Sequence, residues 1–456
     1  MVTIPLGYIE GDAKNENLAS IRMRNMYITS NGFTPDQKSR MTRPTLKTFK
    51  EISALPVYGL WRQEGTLDGI WFVICGETLY KVLLDETVEE IGPIPGTEVA
   101  VFAGTTDRVI IVRNSVAYST DGETIVPVVM PDDRPAGNVA CIDNTFLIGV
   151  RDTQRFYWIF PGETDPDPLS FASAERTPDS VRAIAIISDE IWFLGAIGVE
   201  VWQTTGDADA PYLRISGRVY TDGCIDPATA YTASYNGNPC LLWVTEKRTV
   251  VMAQGNPSRV STKAVEEALK TSSNFRAWGF KWNQHDFYVV SCDEQTLVFD
   301  ITQQLWSRWD SFGFANWRAH IGFQVEERVF AGDSAQGIIW ELEDGYSDNG
   351  QPVVREVSGF VMSTGSGEQC SSVNVRINAG WPSGYTHTPV LEMRWSDDYG
   401  FTWSPYFECP MGKKGAYDYD VTYRSLGSFE RPGRDFEFRF SELAKFRIDY
   451  ATMNEV

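Results

Sequence analysis

Ala183-Ile184-Ala185-Ile186, Ile191-Trp192-Phe193-Leu194 and Val199-Glu200-Val201-Trp202 follow one another with only short breaks between them. Each run is short and rich in β-branched or aromatic residues, so each reads as a strand. Asp189 and Glu190 interrupt the most apolar stretch, Ala183 to Val201. That makes it two strands and a turn rather than a membrane span.

The same three-run set recurs along the chain. The middle runs are Ile70-Trp71-Phe72-Val73-Ile74, Val109-Ile110-Ile111-Val112, Phe146-Leu147-Ile148-Gly149-Val150, Ile191-Trp192-Phe193-Leu194, Leu241-Leu242-Trp243-Val244, Phe287-Tyr288-Val289-Val290 and Val329-Phe330-Ala331. Their spacing, roughly 40 residues, is a propeller-blade period. A run of smaller residues precedes each, as in Val57-Tyr58-Gly59-Leu60 and His320-Ile321-Gly322-Phe323. Small residues suit an innermost strand, where blades crowd around an axis. Asp121-Gly122, Asn236-Gly237 and Gly76-Glu77 supply hairpin turns.

The period predicts an all-β propeller of about seven blades, or six if one set is a decoration. The seventh set has no obvious fourth strand. Thr45-Leu46-Lys47-Thr48-Phe49 is expected to supply it, closing the ring and removing an open edge. One short helix is predicted at Lys263–Lys270, capped by Ser261-Thr262.

The polar segment Asp344–Pro352 marks a boundary. Beyond it, Val373-Asn374-Val375-Arg376-Ile377 and Phe436-Glu437-Phe438-Arg439-Phe440 alternate apolar with polar or charged residues, which predicts a β-sandwich over 347–456. The propeller is expected over 44–346. Residues 1–43, with Arg22, Arg24, Lys38, Arg40 and Arg43, read as an extended arm lying across a neighbouring subunit, or as a surface loop of the same chain.

The formal charge is −21. So acidic a chain is unsuited to gripping phosphate backbones. It suits solubility, or a wall along which DNA slides. The seven cysteines (Cys75, Cys141, Cys224, Cys240, Cys292, Cys370 and Cys409) are dispersed, so reduced thiols are expected in a chain made in a cytoplasm. His285, His320 and His387 lie far apart, which argues against a zinc site, and no metal or cofactor is expected.

The sharpest motif is Ser396-Asp397-Asp398-Tyr399-Gly400-Phe401-Thr402-Trp403, in the S-x-D-x-G-x-T-W form of an Asp-box. Ser396, Asp398, Gly400, Thr402 and Trp403 are its structural residues. Asp398 binds turn amides, Gly400 takes positive φ, and Trp403 packs beneath the hairpin. Such boxes brace hairpins in sialidase propellers, away from the catalytic pocket. A sialidase-like site needs converging arginines and a nucleophilic pair. No arginine sits at a repeated blade position that would converge. Asp165-Pro166-Asp167, Asp189-Glu190 and Glu266-Glu267 read as turns or solvated faces, and Ser363–Gly367 and Gly412–Gly415 as hairpin turns. No catalytic residue is therefore assigned. A propeller glycosidase and a monomeric interaction propeller remain the alternatives.

The order Met393-Arg394-Trp395-Ser396 through Trp403-Ser404, Gly415-Ala416-Tyr417, Tyr423-Arg424-Ser425-Leu426-Gly427, Arg431, Arg434 and Phe436–Ser441 resembles the C-terminal domain of the packaged-DNA stabilisation proteins of short-tailed phages, also called tail accessory or tail nozzle proteins. Asn25-Met26-Tyr27 and Arg43-Pro44-Thr45-Leu46-Lys47-Thr48-Phe49 are similar to that family's start, which often has Gly where Thr45 stands. Phe193-Leu194-Gly195, Val199–Trp202 and Gly223-Cys224-Ile225 resemble its middle.

The resemblance implies a homo-hexameric ring in the virion tail, a tail hub attached below a head-to-tail adaptor ring. It also implies a tail fibre or tailspike and a needle or plug protein as partners. Genomic DNA would pass through the lumen during ejection without specific binding. No membrane insertion by this chain is implied.

Overall fold

The computed structural model describes every residue except 8–20, 33, 35, 177–178, 208–209, 364, 366, 381–387, 414, 416 and 456. His387, Thr364, Ser366, Lys414 and Ala416, named above, lie outside the described residues. The chain is all-β, and among the described residues its one α-helix is Lys263–Lys270. The Thr262 hydroxyl accepts from Val265 N at 3.4 Å, and the helix buries Val265 and Leu269, one turn apart on one face.

Six separate four-stranded antiparallel sheets, together with a seventh four-stranded set inside a larger sheet, form the propeller. Their inner strands are Val57–Trp61, Val101–Gly104, Ala136–Ile142, Val181–Ile187, Tyr231–Tyr235, Arg276–Trp282 and Ala319–Val325. Successive inner strands pack side by side, and the seventh packs against the first. The small residues there answer to crowding at the axis. A Cβ on Gly279 would lie 2.4 Å from Phe287 O and from the Tyr231 ring, and one on Gly322 2.4 Å from Phe330 O. Second strands such as Trp71–Cys75 and His285–Ser291 are buried on both faces, between neighbouring blades. Asn236 and Gly237 both take positive φ (51° and 78°), the geometry of a tight hairpin turn between Tyr231–Tyr235 and Asn238–Val244.

The ring closes as expected. Thr45–Ser53 pairs antiparallel with Gly337–Glu343 and becomes the outermost strand of the seventh blade, with Thr45 opposite Glu343 and Thr48 opposite Trp340. The first strand of the propeller by sequence thus completes the last blade.

The second unit is a β-sandwich. One sheet contains Glu368–Ala379, Asp418–Arg424 and Phe446–Glu455, and the other Arg355–Met362, Val390–Ser396, Phe407–Pro410 and Gly433–Phe440. Their shared core includes Val373, Val375, Ile377, Phe436, Phe438 and Phe440, the apolar half of the alternation.

The described residues among 1–43 depart from the extended arm expected there. Val2–Ile4 pairs with Phe446–Glu455, and the hairpin of Met26–Ser30 and Lys38–Thr42 extends the same sheet. Met23–Arg24 joins the two units. It pairs parallel with blade six at Arg308 and antiparallel with Arg355–Met362, so blade six and one sandwich sheet form a continuous nine-stranded sheet.

Of the basic residues in this stretch, Arg22, Arg40 and Arg43 are buried, and Arg24 and Lys38 are half-buried. Arg40 Nε and Nη2 donate to Leu6 O at 3.1 and 3.0 Å, and Arg22 pairs with Asp435 at 2.9 Å. Arg43 sits where the units meet. Its guanidinium holds Asp348 through contacts of 2.6 and 3.0 Å, donates to Asp310 O at 2.8 Å, and donates from Nε to Asn25 Oδ1 at 2.8 Å. Asp348 belongs to the polar segment read as a boundary, and it also accepts from Leu46 N at 3.1 Å.

Arg43 is 1% exposed and Asp348 6%. Removing one partner of such a pair strands a buried charge, so Arg43→Met is expected to cost about 3–5 kcal/mol, whereas Arg43→Met with Asp348→Leu costs less. Equilibrium denaturant unfolding of the three proteins checks this, and equal losses in the single and double variants would contradict it.

Candidate functional site

The Asp-box closes as a local cage on the hairpin between Val390–Ser396 and Phe407–Pro410. Ser396 Oγ donates to Asp398 Oδ1 at 2.7 Å and accepts from Gly400 N at 2.8 Å. Asp398 accepts from Thr402 N at 2.8 Å and from the Thr402 hydroxyl at 2.6 Å. Gly400, at φ +89°, turns the chain so that its carbonyl accepts from Trp403 Nε1 at 3.0 Å. All five sequence-identified residues meet in one turn. Arg434, buried, ties the turn to the sandwich by holding Asp397 at 2.6 and 2.8 Å and donating to Leu426 O. The Arg394 guanidinium lies 4.5 Å from the Trp403 ring centre.

A different constellation stands at the propeller axis. The residues at which inner strands enter and second strands leave enclose a cavity of about 780 Å³. All seven blades contribute. Arg182 and Arg276 stand at the start of inner strands of blades four and six, Arg113 ends the second strand of blade two, and Arg151 directly follows that of blade three. These four arginines line the cavity together with Glu98, Asp152, Asp226 and Asp293. This corrects the expectation that no arginines converge. The signal was present as two offsets, Arg113 with Arg151 and Arg182 with Arg276, which a search for one repeated position passes over.

Most of these charges are already engaged. Arg151 pairs with Glu98 at 2.7 Å and donates to Ser115 Oγ at 2.7 Å. Arg276 pairs with Asp293 at 3.0 Å, and Arg182 pairs with Glu246 and donates to Ile225 O at 2.8 Å. Arg113 donates to Glu98 O, Gly76 O and Ile94 O at 2.8–2.9 Å, and its guanidinium lies 5.0 Å from the Tyr58 ring centre. Burial pushes its pKa down and raises that of Asp226. Asp226 caps a short turn, accepting from Ala228 N at 2.8 Å.

The other acidic pairs brace turns or surface pairs. Asp165 accepts from Val129 N and Asp167 from Leu169 N, both at 2.7 Å. Glu190 holds Arg218, Glu266 holds Arg259 and Glu267 holds Lys270. His285 bridges the units, with Nδ1 2.7 Å from Asp300 Oδ2 and Nε2 3.2 Å from Thr29 Oγ1. His320 is fully buried at the axis against Val57 O at 2.7 Å, and burial holds its pKa well below the usual imidazole value. Among the described residues no group of three or more His, Cys, Asp or Glu is placed to hold a metal ion, and no helix is long and apolar enough to cross a membrane. No disulfide joins any of the seven cysteines.

The donors from Thr402 and Ser396 hold the Asp398 pKa at about 2. A carboxylate whose folded pKa lies below the unfolded value, roughly 3.9, stabilises fully above that value and ceases to do so as pH falls through the folded one. Trp403 fluorescence is therefore expected to stay constant from neutral pH to about pH 4 and to change as pH falls toward 2. Asp398→Asn is expected to show the loosened signal at neutral pH, with several-fold faster amide exchange at Gly400 and Thr402. A variant with unchanged exchange would contradict the role given to the carboxylate.

No curated protein matches the chain in sequence. Among solved structures, BamB from Moraxella catarrhalis is similar at 12% identity, covering 75% of this chain and 97% of that one with a TM-score of 0.40. YCF48 from Cyanidioschyzon merolae is 11% identical, covering 66% and 99% with a TM-score of 0.41. The extracellular domain of the putative one component system BT4673 from B. thetaiotaomicron is 8% identical, covering 92% and 62% with a TM-score of 0.45. A family model described as Bacteriophage P22 Gp10, beta-propeller, matches residues 2–347, from the first sandwich strand to the end of the seventh blade. The chain belongs to this phage stabilisation family of β-propellers.

Proposed function

We propose that the chain is a structural, non-enzymatic component of a phage tail. In this reading it is one subunit of a hexameric nozzle that extends and closes the DNA exit channel below the head-to-tail adaptor. Fibres or tailspikes and a plug or needle dock on it. The observation that carries the reading is the family match over residues 2–347.

The physical properties fit a part that transmits load. The distant strand Thr45–Ser53 covers Gly337–Glu343 and ties the first part of the propeller chain to its last blade. The sandwich shares a continuous sheet with blade six and is tied to the propeller by buried Arg43 and Asp348. A subunit built this way resists shear between its parts. The charge of −21 on each of six copies makes a channel wall that repels DNA and lets it slide.

A glycosidase calls for a free pair of carboxylates, and at the axis Glu98 and Asp293 are each held by an arginine, Arg151 and Arg276.

Electron microscopy of particles carrying this protein is expected to show six copies around the channel beneath the adaptor. A tail without it, or a chain that stays monomeric at high concentration in the presence of its adaptor, would contradict the nozzle. Duplex DNA is expected to show no saturable binding to the ring even at low salt, and tight salt-sensitive binding would contradict the sliding wall.

A further inference from the structure

We infer that the groove between blades two and three is a docking site for a basic, extended segment of another protein, one with aliphatic side chains between its lysines or arginines. The groove holds about 670 Å³ at the rim of the propeller. It exists because the rim is notched there. The outermost strands of blades two and three, Ile125–Pro127 and Phe171–Ser173, are three residues long, against nine in Thr45–Ser53 and in Tyr212–Tyr220. The groove lies within one chain, so the inference does not rest on the nozzle reading.

Its apolar side is open to solvent. Val126, Pro127, Val128 and Pro161 line it, and Val126 is 58% exposed. Among the described outermost strands with a free edge, Ile125–Pro127 is the one without a polar side chain. Val88–Pro93 carries two glutamates, Thr45–Ser53 two lysines and a glutamate, and Asn256–Arg259 an arginine. Charges of that kind keep an edge from pairing with another chain, and this edge lacks them. An extended partner can add to it as a further strand.

The walls fix the partner's charge. Asp107 accepts from the Thr105 hydroxyl at 2.8 Å, Asp121 from Glu123 N and Thr124 N at 2.9 and 2.8 Å, Glu163 from Phe160 N at 2.9 Å, and Asp165 from Val129 N at 2.7 Å. All four carboxylates line the groove, and among the described residues none of them is in an ion pair. Arg108 lines it too, with its guanidinium 5.1 Å from the Phe146 ring centre. An excess of carboxylates beside exposed aliphatic side chains attracts a segment that carries both lysines and apolar residues. It repels the acidic surface of a second copy of this chain.

Fluorescence anisotropy on the full chain tests this with labelled peptides: Lys-Val-Lys-Val-Lys-Val-Lys, its counterpart with serine for valine, and its counterpart with glutamate for lysine. The lysine–valine peptide is expected to bind saturably, and more weakly as salt rises. The serine peptide is expected to bind at least about tenfold more weakly, one decade in Kd, and the glutamate peptide not to bind. Val126→Ser, and Asp107→Asn combined with Glu163→Gln, are each expected to weaken the lysine–valine peptide by about tenfold. These positions are exposed or half-buried, and circular dichroism checks that the variants fold. No binding of the lysine–valine peptide, equal binding of the serine peptide, or unchanged binding in the folded variants would overturn the inference. Self-association in sedimentation velocity that Val126→Ser abolishes would make a second copy the occupant, and would overturn it as well.

Discussion

Thr45–Ser53 is the strand on which the architecture turns. Without it the seventh blade would be three-stranded, would present Gly337–Glu343 as a bare edge, and would lose the pairing that ties the start of the propeller chain to its end. Its position also dictates what precedes it. A chain that must enter the outside of blade seven at Thr45 passes Arg43 through the contact between the two units. It can then leave Met23–Arg24 and the hairpin up to Thr42 in the sandwich. The C-terminal strand Phe446–Glu455 receives Val2–Ile4 and the Lys38–Thr42 strand in turn. Both ends of the chain are therefore fixed by pairings hundreds of residues apart in sequence, an arrangement with a high loop-closure entropy to overcome and slow folding to match.

The parts of the fold that were legible in the sequence are those decided by local burial. Val109–Arg113 and Phe146–Val150 are buried along their length, so their apolar runs stand out. Outermost strands such as Ile125–Pro127 and Phe171–Ser173 are short and half-exposed, and their composition says little. The closing strand was legible because the seventh set lacked a fourth member and a suitable run lay upstream. The described part of residues 1–43 was read as an arm or a surface loop because its strands are short and carry little periodicity. Arg40 and Arg43 are almost fully buried, and what makes that tolerable is a set of acceptors at Leu6, Asp449, Asp310 and Asp348 that no local pattern discloses.

The same distinction separates the two candidate sites. The Asp-box is a contact among residues within one octet, so spacing alone specifies its hydrogen bonds. The axial cavity draws residues from every blade, and its arginines occupy two different positions in the blade repeat. Convergence there is a property of the closed ring. It becomes visible only when the seven sheets are arranged around their axis.

Native-state hydrogen exchange over Thr45–Ser53 tests the central claim most directly, that one borrowed strand locks the ring. The amides paired with Gly337–Glu343 are expected to exchange only through global unfolding, with the same free energy as those of the buried second strands. Rapid exchange in Thr45–Ser53 while blades two to five stay protected would mean that the ring opens without it, and the account would be wrong.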